Sequence, residues 1–461
     1  MATTRYQTSA VLGMPVDRLF VDGDQITFIP YKGNENHSEV EVYFPSGVHP
    51  IKRILSPEDP DYVAGITYYP VGEDFFEVDQ EYTLTWVASR GYLVVGEPEP
   101  EPDPDLLLFS FGWNELARTG LGVTVGDTLT PSVVGAAFWQ VCSTGFSHSV
   151  LVQADGTLWA FGANADGRTG LGTTVGNTLT PTQVGVDTSW LSASAGTRHS
   201  MAVKTDGTLW AFGHNGNGRT GLGTVVGNTL VPTQVGVDTD WAFVVAGLEH
   251  TLAIKTTGTL WSFGDNERGE TGLGVTIGNT LVPTQVGVDT DWLFATTQDR
   301  HSLVIKTTGT LWTFGDNEDG RTGLGTGAGD TLVPTQVGVD TDWASAAAGT
   351  SHSVAIKTDG TLWSFGLNQE GQTGLGTTVG DTLVPTQVGV DTDWVFVASG
   401  ADHSLAIKAS GTLWAFGDNA HGETGLGTSV GYTLTPAQVG VDVGWSQVAG
   451  GVFQSLALKA A

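Results

Sequence analysis

The chain has 461 residues and carries 49 acidic against 19 basic side chains, a formal net charge of -30. Electrostatics this negative repel phosphate backbones and argue against nucleic-acid binding. A single cysteine, Cys142, excludes a disulfide framework and is expected to be a small buried side chain.

The amino terminus lacks a basic leader followed by an apolar core, and no apolar run is long enough to cross a bilayer, so neither signal-dependent export nor membrane insertion is expected. Residues 1–96 hold no repeat. Residues 18–21, a turn at Asp22 and Gly23, and residues 25–29 alternate apolar with polar and predict a hairpin. Further strands are predicted at 40–44, 63–69, 82–88 and 92–95, which together suggest a small β-sandwich or barrel. Residues 97–105 alternate proline with glutamate or aspartate, a composition that blocks helix and ladder and reads as an extended acidic spacer.

From Leu106 to the end the chain repeats itself every 51 residues. Tryptophans mark the beat at 159, 210, 261, 312, 363 and 414, and again at 139, 190, 241, 292, 343, 394 and 445. Each unit holds four short β runs divided by Gly, Pro, Asn and Asp, with Asp206 and Gly207 typical of the hairpin between two of them. The array opens on a lone strand at 109–112 and closes on the strand that would normally precede it, at 454–459. The two ends complete one sheet only if the chain returns to its origin. The fold class is therefore all-β: a seven-bladed β-propeller over 106–461, closed by its terminal strands, preceded by a small β domain.

The G-x-N-x-x-G core, as at Gly162 to Gly167, and the Gly-x-x-His-Ser core make the units resemble the repeat of the regulator of chromosome condensation family. The resemblance covers about three quarters of the chain and implies a seven-bladed propeller. The chain departs from it in reading Thr-Gly-Leu-Gly where the usual form is Leu-Gly-x-Gly, a difference that bears on one turn. Nucleotide exchange on a small GTPase and docking on nucleosomes belong to the founding member. Here the uniform spacing leaves no room for an inserted wedge and the acidity opposes nucleosomal DNA, so neither is expected.

His148, His199, His250, His301, His352 and His403 recur once per unit, with Gln454 in the seventh place. On separate blades they form a wide ring and cannot share a cation, so they are read as structural posts rather than zinc ligands. Residues 316–320 resemble part of a calcium loop but lack its terminal glutamate. The serine, or at Thr251 the threonine, after each histidine points to the opposite face of its strand and makes no catalytic dyad with it. The expectation is a protein without enzymatic activity, metal or cofactor.

Positions that differ among the copies are free to specialise. The most variable pair precedes each histidine and Gln454, and those fourteen residues are expected to ring one face of the disc. The resemblance places this loop on the face that engages the GTPase. Arg198, Glu249, Asp299, Arg300, Asp402, Phe146 and Phe453 are the contact candidates in it. A second variable set precedes the repeated asparagine and includes Trp113. Near-identical tandem units behind a separate small domain and an acidic spacer predict a virion display protein. Residues 1–96 would attach to other virion proteins, the propeller would face a host receptor or glycan, and copies would oligomerise within the particle. The alternatives are a cytoplasmic propeller scaffold for protein partners and a carbohydrate-binding lectin.

Overall fold

The computed structural model describes residues 106–461 except Val125, Val226, Ile277 and Val430, together with strand segments at 6–7, 25–28, 30–33, 37–40, 82–87 and 92–95. The chain divides into two compact units, Met1–Pro102 and Asp103–Ala461. Among the described residues of the first, one antiparallel sheet runs in the order Tyr6–Gln7, Tyr92–Val95, Tyr82–Val87, Gln25–Phe28. A separate hairpin pairs Pro30–Gly33 with His37–Val40. The last two strands of the sequence reading are present, and Gln25–Phe28 pairs with Tyr82–Val87. Residues 18–21, the turn at 22–23, 41–44, 63–69 and the spacer at 97–105 lie outside the described residues.

The second unit contains no α-helix among its described residues, and its strands form seven four-stranded antiparallel blades. The blade that starts at Trp190 shows the plan: Trp190–Ala195 is innermost, followed by His199–Lys204, Leu209–His214 and Asn228–Gln234 at the rim. Alternating strand direction puts the His199 end of the blade on one face and the Asp206–Gly207 turn on the other; we call these the loop face and the hairpin face. Gly207 takes φ +75°, the left-handed value a tight turn asks of glycine.

Closure occurs where the terminal strands meet. Leu106–Gly112 pairs with Gln454–Ala460 over seven consecutive residues, from Gly112 opposite Gln454 to Leu106 opposite Ala460. At the same seam Thr128–Thr144 runs unbroken for 17 residues, pairing with Leu106–Gly112 at one end and His148–Gln153 at the other. It is thus the rim strand of one blade and the innermost strand of the next. The local cause is a connection one residue shorter, Gly-Ala-Ala-Phe-Trp at 135–139, against Gly-Val-Asp-Thr-Ser-Trp at 185–190.

The core lies between neighbouring blades. Met201, Val203 and Leu209 of one blade pack with Trp241, Val244 and Phe263 of the next, all but excluded from solvent. Burial of each such large side chain contributes about 1.5–3 kcal/mol. The Thr-Gly-Leu-Gly turn joins this packing. Gly170 sits at φ +72° with Phe212 of the following blade so close that a Cβ would lie 2.9 Å from its ring. The departure from the usual repeat therefore still delivers a glycine where two blades touch.

The hairpin face is held by a repeated ion pair. Lys204 Nζ reaches Asp187 Oδ2 at 2.8 Å while lying 4.0 Å from the ring centre of Trp210 and 4.7 Å from that of Trp190. Lys255, Lys306, Lys357, Lys408 and Lys459 do the same with Asp238, Asp289, Asp340, Asp391 and Asp442.

Candidate binding face

Both variable sets of the repeat fall on the loop face, and the backbone joins them. The residue before each repeated asparagine donates its N–H to the carbonyl of the residue before a ring histidine or Gln454: Trp113 to Phe453 at 2.7 Å, Ala163 to Ser147 at 2.8 Å, His214 to Arg198 at 2.9 Å, and Asp265, Asp316, Leu367 and Asp418 likewise to Glu249, Arg300, Ser351 and Asp402. The asparagine itself is scaffold. Asn164 is buried, accepts from the Thr169 N–H at 3.3 Å and donates to the Thr173 carbonyl at 2.9 Å, which sets the loop.

Beneath this face runs the histidine ring. His148 Nε2 meets Ser200 Oγ of the next blade at 2.7 Å, and His199, His250, His301, His352 and His403 make the same contact with Thr251, Ser302, Ser353, Ser404 and Ser455 at 2.8–3.0 Å. Gln454 completes the ring by donating to Thr144 Oγ1. Sequence adjacency hides this pairing, because each histidine meets the serine or threonine one repeat further on. The polarity is opposite to that of a nucleophile and its base. Ser200, Thr251, Ser353, Ser404 and Ser455 spend their protons on backbone carbonyls, so they accept from the imidazole N–H and are not activated. Burial holds all six imidazoles well below the usual histidine range, with His250, His352 and His403 at about 3.

The contact candidates fall into four partly shared environments. Trp113, Phe146 and Phe453 come together: Trp113 and Phe453 are 5.1 Å apart edge to face, Phe146 and Phe453 6.5 Å. Arg198 and Glu249 are engaged within the chain, Arg198 with Asp166 at 2.9 Å and Glu249 with Arg219 at 3.1 Å. Asp299 lines a central channel, a cavity of about 440 Å3, together with Phe146, Asp402 and Phe453, and burial raises its carboxyl to about 6. Beside it the Gln298 side-chain amide faces the carbonyls of Ala348, Ser399 and Gly400 on the following two blades, to which only its nitrogen can donate. Arg300 is exposed, and burial raises the half-buried Asp402 above the usual aspartate range.

A ring that the sequence reading passed over lies just below these loops. Arg118, Arg168, Arg219, Glu270, Arg321, Gln372 and Glu423 occupy one repeat position and are all buried. Arg168, Arg219 and Arg321 each donate to a loop carbonyl of the next blade, those of Thr197, Leu248 and Thr350. The available signal was a charged position that changes sign from copy to copy beside an unchanging threonine. In the sequence resembling a calcium loop, Asp316 and Asp319 are engaged by Arg321 at 3.5 and 3.2 Å. Among the described residues no group of three or more His, Cys, Asp or Glu is placed to hold a metal ion. Cys142 is buried, which pushes its thiol up to about 12.

Residues 105–396 match the model of the RCC1-like domain, and residues 394–423 match the regulator of chromosome condensation (RCC1) repeat. The chain is similar to the ultraviolet-B receptor UVR8 of Arabidopsis thaliana, 32% identical over 248 residues that make up 51% of this chain and 55% of the receptor. It is 29% identical to the human regulator of chromosome condensation over 181 residues, 39% of this chain and 43% of that protein. It thus spans about half the length of the curated relatives it matches. Among solved structures, Prp20p of Saccharomyces cerevisiae superposes with a TM-score of 0.71 at 20% identity, covering 78% of this chain and 92% of that one. Human WBSCR16 gives 0.69 at 21% identity over 77% of this chain and all of that one.

Proposed function

The chain belongs to the RCC1-like domain family, and from that membership we propose that it is a non-enzymatic propeller that binds protein partners through its loop face. The observation that carries this reading is the convergence of both variable residue sets on one face, while the hairpin face repeats the same valine, aspartate and lysine in six of the seven blades. Variation is free where packing does not fix the residue, and a surface that varies within a rigid frame suits recognition. Prp20p is described with its binding to Gsp1p and histones, which supports a protein partner in kind. Arg300 is exposed on this face, and Arg198, Glu249, Asp299 and Asp402 give it charge.

A photo-crosslinking residue placed at the exposed Arg300 should capture a partner, and one placed at Val288 on the hairpin face, 86% exposed, should not. Capture from Val288 alone would reject the assignment of the face. Display on a particle, with residues 1–96 attached to it and the propeller turned outward toward a receptor or glycan, is a narrower reading that the acidic proline spacer favours. Finding the chain by mass spectrometry in purified particles tests it; the cytoplasmic scaffold reading predicts its absence there.

A further inference from the structure

Of the four arginines in the buried ring, three are neutralised and one is not. Arg168 pairs with Asp166, Arg219 with Glu249, and Arg321 with Asp316 and Asp319. At Arg118 the corresponding places hold Leu116, Ser147, Trp113 and again Leu116. Arg118 as a whole is 2% exposed, and its Nε and Nη1 have no hydrogen-bond partner. Glu115 acts on it only through space, and burial lowers it to about 10. In place of a carboxylate it has rings: the guanidinium carbon lies 4.0 Å from the centre of Trp113, 5.5 Å from Phe146 and 5.7 Å from Phe453. His421 stacks on the other side of Trp113 at 4.9 Å. The loop beneath is held at φ +64° and +63° by Leu116 and Ala117, the second of which stands where the other six blades have glycine.

A buried cation with unmet donors costs stability unless an anion completes it. Aromatic rings around it supply part of that compensation and leave the hydrogen bonds unmade. We propose that Arg118, Trp113, Phe146 and Phe453 form a pocket for a glutamate or aspartate side chain on an extended peptide segment of a partner protein, the carboxylate pairing with Arg118 and a neighbouring apolar or proline residue stacking on the rings. The inference rests on the loop face being the protein-binding one. Charge selects a single carboxylate over a polyanion, because Asp127 sits 3.3 Å from His421 at the edge of the cluster and the chain is acidic throughout. Phe146, 37% exposed, is the open side of the pocket.

The probe is a fluorescein-labelled nonapeptide carrying one glutamate between two prolines, compared by fluorescence anisotropy at low salt with its glutamine counterpart on the full chain. Saturable binding is expected for the glutamate peptide and about tenfold weaker binding for the glutamine one. Phe146→Ala, at an exposed ring, and Arg118→Met should each weaken the first by about tenfold or more. Circular dichroism confirms that each variant is folded, and Phe146→Ala carries the test if Arg118→Met is not. Equal binding of the two peptides, undiminished binding by the folded variants, or no binding at millimolar peptide would overturn the proposal. If the peptide fails while crosslinking from Arg300 still marks the loop face, the carboxylate pocket falls and the face assignment stands; if both fail, both fall.

Discussion

Gln454 Nε2 donates to Thr144 Oγ1 at 2.5 Å across 310 residues of sequence, the one link of the inter-blade ring that uses an amide instead of an imidazole. It joins the last blade to the first at the buried seam where Gln454–Ala460 also pairs with Leu106–Gly112. Loss of a buried side-chain hydrogen bond together with the packing of the side chain that makes it costs about 1–3 kcal/mol. Gln454→Ala should therefore lower unfolding stability in urea by about that amount, while Ser446→Ala, at an exposed position on the innermost strand of the same blade, should change it by about 0.5 kcal/mol or less. Equal effects would mean that the seam is held by the strand pairing alone.

The histidine ring makes the fold sensitive to acid. In the unfolded chain these imidazoles titrate near about 6.5, whereas burial keeps all six neutral to far lower pH in the folded one. As pH falls from about 6.5 toward 3, the unfolded state binds protons that the folded state refuses, so their contribution to stability is full above that window and lost within it. The urea midpoint should drop steeply from pH 6.5 to pH 4. His352→Gln, which copies the side chain found at Gln454, should make that slope shallower by one site's share; an unchanged slope would remove His352 from the account.

The architecture was legible in the sequence because a repeat must place every copy in the same environment. Tryptophan spacing gave the blade number, and the half-units at Phe109 and Gln454 gave the closure. Within the site, the repeated positions were readable and the exchanges between blades were not. The His148–Ser200 contact joins residues 52 apart, and no local pattern points across a repeat boundary. For the same reason Arg198 and Glu249 read as free contact residues although Asp166 and Arg219 engage them, and Arg118 went unremarked beside Trp113. Side-chain partners on neighbouring blades depend on the closed geometry, which periodicity alone does not specify.

The lysine on the hairpin face is predicted to work as a unit with its aspartate and its two tryptophans. Lys306 lies 2.7 Å from Asp289 and within 4.9 Å of the ring centres of Trp292 and Trp312. The one blade with the shortened connection lacks this aspartate and carries Gln153 in place of the lysine, so the two are lost together. Lys306→Met should cost about 1 kcal/mol, and a double-mutant cycle with Asp289→Asn should return a coupling of about 0.5–1 kcal/mol that shrinks in high salt. Gln153→Lys, with no aspartate to meet, should add nothing measurable to the urea midpoint.

Glu423 should be the main source of alkaline instability. Burial, reinforced by Asp418, raises its carboxyl to about 8, while burial likewise raises Glu270 to about 7. The folded chain thus holds a proton that the unfolded chain releases near about 4.3. Its contribution is full below that value and is lost as pH rises through about 8, opposite in sign to the histidines. Glu423 Oε2 accepts the His421 N–H at 2.7 Å, and in the next blade back Gln372 Oε1 accepts the Glu370 N–H at 2.8 Å in the same way. The chain therefore already shows that an uncharged amide serves this position. Glu423→Gln should keep the loop, raise the urea midpoint at pH 8 and leave it nearly unchanged at pH 4, so that the fall in stability between pH 5 and pH 8 becomes shallower. A variant less stable than the parent at pH 8 would show that the carboxylate itself is needed there.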